Sequence, residues 1–260
     1  MNGNLRELYS YRELLVMLAR RDIKVRYKQS LMGFFWAILM PLLIVAAGIL
    51  VRYAYAISTH RVLNVNDVAT VATKSVPWAF LVSSIRFSSQ SLTGNSNLVT
   101  KVYFPKEIFP IAAVLAQLFD LVVASSALVV LLFASKLGLS LQLFWAVPLL
   151  CVMIVLAVGI GLLVSAGSLF FRDVKYIVEV FLTFAIFFTP VFYDVSMFGQ
   201  KGWLLMLNPV APILESLASI VRGQPPDWNW VFYSVAFATV TLLFAYMIFK
   251  RVEPAFAESI

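Results

Sequence analysis

FWAVPLLCVMIVLAVGIGLLVSAGSL, residues 144–169, decides the fold class, because it carries no Asp, Glu, Lys or Arg along its whole length. A helix crosses the hydrocarbon of a bilayer with about 20 mostly apolar residues. Five further runs of this kind occupy 34–57, 76–95, 110–134, 176–193 and 229–249. A membrane β-barrel would show weak alternating segments instead of solid runs. The chain therefore reads as an all-α integral membrane protein with six transmembrane helices.

The composition agrees. Apolar residues make up 62% of the 260 and charged residues 13%, against roughly 45–50% and about 25% in soluble domains. Mean hydropathy is +0.90. The 33 charged side chains cannot cover a soluble protein of this size. A soluble enzyme, a disordered tail and a nucleic-acid reader are excluded together. Cys151 is the single cysteine and His60 the single histidine, which argues against a disulfide framework, a cysteine-rich cluster and most histidine-based metal chemistry. No cleavable signal peptide is expected, since the first 30 residues are charged and hold no apolar core.

The net charge of +7 is a topology signal. Thirteen Lys and Arg fall in the N-terminal arm, the second and fourth connections and the tail, and five (Arg61, Lys74, Lys136, Lys201 and Arg222) in the opposite loops. The positive-inside rule then places both termini in the cytoplasm. Arg52 and Arg86 are left over, inside apolar runs.

The first 32 residues hold a basic amphipathic segment. Ser10 with Glu13 fits a capping box. Tyr11, Leu14, Leu15, Leu18 and Val25 share one helical face, interrupted by Asp22, and Arg20, Arg21, Lys24 and Lys28 gather opposite. Such a helix lies in the membrane interface with its cations near anionic headgroups, and the same face could dock a cytoplasmic partner. Residues 33–250 form the transmembrane domain and 251–260 a cytoplasmic tail.

Two connections are unusual. Residues 97–110 are short and apolar for a cytoplasmic loop. Val102, Tyr103, Phe104 and Phe109 either form a protein-binding patch or tuck under the membrane as span ends. The outer stretch 194–228 is long, with helical patterning around Ile213, Leu214, Leu217, Ile220 and Val221. Its Asn208-Pro209 and Pro225-Pro226 punctuation fits short external re-entrant helices.

Polar residues inside the runs are expensive and need partners. Arg86 and Asp120, each about ten residues into its span, are expected to pair. Ser84, Ser88, Ser91 and Asn95 form a stripe that could alternatively line a wet path. Ala112, Ala116, Asp120 and Ala124, and likewise Ala157, Gly161 and Ser165, repeat every four residues, as close helix packing requires. Pro41, Pro148 and Pro190 mark possible kinks. An interfacial belt accounts for most of the 38 aromatic residues. No GxxxxGK[ST], GxSxG, HExxH or CxxC is present, so no catalytic residue and no metal ligand is expected, and energy for transport must come from elsewhere.

Several stretches resemble the ABC-2 type permeases that export polysaccharides. They are Asp22–Ser30 (DIKVRYKQS) with Gly33–Pro41 (GFFWAILMP), Lys101–Pro110 (KVYFPKEIFP), Phe171-Arg172-Asp173, Thr189–Tyr193 (TPVFY), Asn208-Pro209 with Glu215 and Arg222, and Arg251–Pro254 (RVEP). The resemblance implies a homodimeric channel in the bacterial inner membrane, working with two copies of a separate ABC ATPase that carries ATP and Mg. It implies a lipid-linked polysaccharide cargo, O-antigen-like, with teichoic acid or capsule as alternatives and no nucleic acid. No cofactor is bound by this chain itself. The N-terminal helix and Lys101, Val102, Tyr103, Phe104, Pro105 and Glu107 would meet the ATPase. The external re-entrant helices, with Asn208, Pro209, Glu215 and Arg222, would form the outer gate. In such a dimer the faces of spans one and five nearest the axis, with Phe34, Trp36, Phe181, Phe184, Phe188 and Tyr193, are candidates for the glycan pathway. A membrane enzyme acting on polyprenyl-linked sugars is the competing class. It would need clustered carboxylates or histidines, and here Asp173 and Glu179 stand nearly alone.

Overall fold

The computed structural model describes residues 9–28, 33, 35–60, 62–134, 137 and 140–256. Among them the regular structure is helical throughout. Ten helices are named here: α1 (Arg12–Lys28), α2 (Phe35–Ser58), α3 (Val65–Ser89), α4 (Ser96–Lys101), α5 (Ile108–Ala134), α6 (Ala146–Phe170), α7 (Val174–Phe188), α8 (Trp203–Met206), α9 (Ala211–Val221) and α10 (Trp228–Val252). Five described helices, α2, α3, α5, α6 and α10, are long and apolar enough to cross a membrane.

The fifth apolar run behaves differently from the sequence expectation. It forms α7, only 15 residues long, or about 22 Å at 1.5 Å per residue. Pro190 ends it. A residue before proline is pushed out of the helical region, and Thr189 is extended at φ −116° and ψ 133°. By contrast Pro41 and Pro77 lie inside continuous helices.

α3 is the axis of the bundle, packed against α2, α5, α6, α7 and α9. It begins at Val65, eleven residues before the run read from the sequence; its first turn is largely exposed, and from Ala69 to Ser75 every residue is buried among other helices. Lys74, expected in an external loop, is therefore an interior helical residue. The hydroxyl stripe is equally interior: Ser84 and Ser88 are fully buried and Ser91 nearly so. Ser88 donates to the Pro110 carbonyl at 3.3 Å, and Ser91 and Asn95 bond back onto their own chain. Ser84 and Ser88 thus belong to a packing face, while Ser91 and Asn95 border a groove together with Arg26 and Gln117.

Glycine permits the close approaches. A Cβ on Gly161 would sit 2.8 Å from the Ser88 hydroxyl, and one on Gly159 would sit 3.0 Å from the Leu242 backbone nitrogen in α10. The Ala157-Gly161-Ser165 ridge thus seats α6 against α3.

At the basic end, one apolar cluster joins Leu18, Leu92, Val99, Phe104, Ile108, Phe109, Leu169, Phe249 and Phe256. Tyr11, just before α1, and Leu14, Leu15 and Leu18 of α1 face this cluster. Val25 does not; it is exposed, while α1 packs along α5. Helical backbone is present at Tyr9 and Ser10, and a turn at Tyr11 separates them from α1. The tail also folds in, since Phe256 is buried against Phe249 and Phe170.

Candidate functional site

Polar chemistry concentrates in three places. The first is the connection between α4 and α5. Tyr103 stands 91% exposed beside exposed Lys101 and Val102, whereas Phe104 is 6% exposed. The Phe104 ring packs on Phe109 at 5.4 Å and on Tyr11, just before α1, at 6.4 Å. Pro105 is buried too. Glu107, expected to meet the ATPase, is fully buried instead and accepts from Lys250 at 2.8 Å. Its Oε1 is buried with no hydrogen-bond partner among the described residues. Burial pushes its carboxyl up, against the pull of Lys250. Lys250 also donates to Glu253 at 2.9 Å, and Glu253 accepts from the Lys106 backbone at 2.8 Å. The end of α10 therefore braces the connection, and Tyr103 is its free tip.

The second place is a groove of about 290 Å³ between α1, α2, α3 and α5, lined in part by Trp36, Phe80, Arg86, Asp120 and Leu121. Arg86 and Asp120 both border it, but they do not pair. Asp120 accepts from Arg26 at 2.5 Å and from the Tyr27 hydroxyl, and Arg26 also reaches Gln117 at 3.0 Å. Burial, reinforced by the bond to Asp120, pushes the Tyr27 phenol up to about 12, so it stays a donor. Arg86 makes a two-pronged pair with Glu179 of α7 at 2.6 and 2.8 Å. Both partners of that pair are nearly half exposed. Arg86 lies three residues from the end of α3, not at mid-span. Double-mutant cycles read by thermal unfolding in detergent should give about 0.5–3 kcal/mol of coupling for Arg26–Asp120 and less for Arg86–Asp120. The reverse order would contradict this pairing.

The third place is a buried charge cluster at the opposite end. Lys74, with no exposed surface, donates to Asp194 at 2.6 Å, Glu215 at 2.7 Å and the Tyr193 carbonyl at 3.1 Å. Arg52, 3% exposed, donates to Asp194 at 2.9 Å, Asp67 at 3.1 Å and the Phe192 carbonyl at 3.2 Å. Burial alone would raise the Asp194 carboxyl, but Lys74 and Arg52 hold it down at about 2. Of the expected outer-gate residues, Glu215 belongs to this cluster. Asn208 donates to Thr189 at 2.9 Å and caps the Val210 amide, Pro209 accepts from Ser234, and Arg222 is exposed.

The candidate pathway residues are surface residues of the single chain. Phe181, Phe184 and Phe188 are 57–72% exposed on one side of α7, and Trp36 is 43% exposed on α2. Tyr193 donates to the Phe187 carbonyl and stacks on Phe198. Phe34 lies outside the described residues. Arg20, Arg21, Lys24 and Lys28 are all exposed along α1, with Arg21 paired to Asp22. Sequence reasoning missed Arg26, Arg52, Lys74, Lys250 and Glu253. Their available signal was a cation or carboxylate at the edge of an apolar run or, for Arg52, inside one.

A family model for the ABC-2 type transporter matches residues 13–221. The chain belongs to the ABC-2 type transporter family. It is similar over nearly its whole length to O-antigen export system permease proteins RfbA. Two from Klebsiella pneumoniae are 26% identical over 248 residues, covering 95% of this chain and 94% of theirs. One from Myxococcus xanthus is 29% identical over 265 aligned residues, covering 98% of both. As an ABC-2 family member the chain is a membrane transporter subunit, and the matched span includes α1, the 101–107 connection, α7 and α9.

Proposed function

We propose that this chain is the membrane-spanning permease of an ABC exporter that carries a lipid-linked polysaccharide, O-antigen-like, out across the bacterial inner membrane. The observation that carries the reading is similarity to O-antigen permeases over 95–98% of the chain. Energy comes from a separate ABC ATPase, which holds the ATP and Mg. The basic end faces the cytoplasm, as its excess of Lys and Arg favours. α7 with the following turn supplies a sixth crossing, which returns both termini to the same side. Two permease copies and two ATPases form the complex. The exposed aromatic side of α7, where Phe181, Phe184 and Phe188 are 57–72% exposed, offers a surface for this pairing. Aromatic rings on that side suit a sliding sugar polymer, since they stack on pyranose faces without fixing register.

The ATPase meets the Tyr103 tip and the basic face of α1. Cells lacking their own permease and ATPase, supplied with this chain and its cognate ATPase, should display long-chain glycan on the surface. The display should vanish with an ATPase unable to hydrolyse ATP. Glycan confined to the cytoplasm with both subunits present would refute the reading. Tyr103→Ala should leave the folded yield unchanged and weaken ATPase capture by about 2 kcal/mol, roughly 30-fold, as loss of an aromatic anchor does. Unchanged capture would move the coupling surface elsewhere.

A further inference from the structure

The sequence reads the helix around Glu215 as part of a moving outer gate. The geometry points elsewhere: we infer that Lys74 and Arg52 are positioning residues that fix α9 and the turn at Asp194 to α2 and α3, so that the exit opens by movement of residues 196–206 while α9 stays in place. This rests on the export reading above and assigns the moving and fixed parts of its exit.

Four consecutive residues of the turn are held. The Phe192 carbonyl accepts from Arg52, the Tyr193 carbonyl from Lys74, the Asp194 carboxylate from both cations, and the Val195 amide donates to Glu215 at 3.0 Å. Glu215 brings α9 into the same cluster through Lys74. All three ammonium protons of Lys74 thus have acceptors, on two separate stretches of chain. Sliding α9 away from α3 would strip acceptors from a cation with no exposed surface, and an unpaired buried charge is strongly disfavoured. The apolar packing points the same way. Ala211, Ile213, Leu214, Leu217, Ala218 and Ile220 of α9 are at most 4% exposed. A helix buried on every side is a core element.

Residues 196–206 have the opposite character. Phe198, Trp203 and Leu204 are about half exposed. Many of the segment's backbone bonds are local, as from Met197 to Asp194, Gly202 to Gly199 and Leu205 to Gly202. Gly199 sits at φ 52° and ψ −130°, a conformation open to glycine and strained for other residues. Between the Val195 amide, held by Glu215, and the Leu207 carbonyl, which accepts from Tyr233 of α10 at 2.7 Å, residues 196–206 can shift about this point without breaking a contact of Lys74 or Arg52.

The test uses the full chain with its ATPase in cells and a membrane-impermeant maleimide added outside, in a Cys151→Ala background. Phe198→Cys should react readily, and its rate should change between an active and a hydrolysis-dead ATPase. Ala218→Cys, fully buried on α9, should stay protected in both. Adding Lys74→Met should raise Ala218→Cys labelling at least tenfold. Neutralising the carboxylates as well (Asp194→Asn with Glu215→Gln) should restore most of the protection, which general unfolding would not allow. Turnover-dependent labelling of Ala218→Cys at a rate comparable to Phe198→Cys would overturn the inference. So would full protection of Ala218→Cys in the Lys74→Met chain. If the Lys74 arms behave as stated and no glycan reaches the surface, the export reading fails and the positioning of α9 stands.

Discussion

Phe104→Ala is expected to lower the yield of folded chain sharply. The ring is 6% exposed and joins α1, through Tyr11, to the start of α5, through Phe109. Truncating a buried phenylalanine costs about 3–5 kcal/mol, part lost transfer energy and part cavity. The measurement is thermal unfolding of the detergent-solubilised chain, with the monodisperse fraction as a second readout. Phe104→Leu should recover most of the loss, since the cavity largely closes. Tyr103→Ala, one residue away and 91% exposed, should leave the melting temperature unmoved. A normal melting temperature for Phe104→Ala together with failed ATPase capture would return Phe104 to the partner surface.

Lys250→Met should have an effect of similar size, with a pH dependence of predictable sign. Lys250 is the shared donor of buried Glu107 and of Glu253. Removing it leaves a carboxylate buried without its counter-ion, at about 3–5 kcal/mol. Burial already raises the Glu107 carboxyl even with Lys250 present. A carboxyl whose folded pKa lies above its unfolded value binds its proton more tightly in the folded chain. Its stabilising share is therefore full below the unfolded value, about 4.3, and is lost as pH rises through the folded value. Without Lys250 the folded value climbs further. Acidification from pH 7.5 towards 5 should thus restore stability to Lys250→Met more than to the parent chain. Adding Glu107→Gln should rescue it at pH 7.5. Equal losses at both pH values would show that Glu107 does not carry the effect.

Both outcomes depend on which way a residue faces, and that was the least legible property of the chain. Residues 101–107 are apolar beyond what a loop needs, and this much was readable. Whether Tyr103 or Phe104 points outward was not, because adjacent residues in an irregular segment have no periodicity to assign their sides. The aromatic stripe of α7 was readable, since Phe181, Phe184 and Phe188 recur at helical spacing. Its short length was only half readable: Pro190 was marked as a kink, yet hydropathy carries on through Val191, Phe192 and Tyr193 and hides the helix end.

The sequence by itself determined the helical class, the positions of α2, α5, α6 and α10 to within a few residues, and the resemblance to polysaccharide-exporting permeases. The reason is that apolar runs and local spacing are one-dimensional signals, set by bilayer thickness and helix rise. Only the tertiary structure decided the partners of the charges. Distance along a helix gives depth but not azimuth, so Arg86 and Asp120 could be placed in the spans without revealing that one faces Glu179 and the other Arg26. Lys74 shows the same limit more sharply. A hydropathy window meets a lysine and excludes it from the span, because the carboxylates that make its burial stable, Asp194 and Glu215, lie 120 and 141 residues further along the chain.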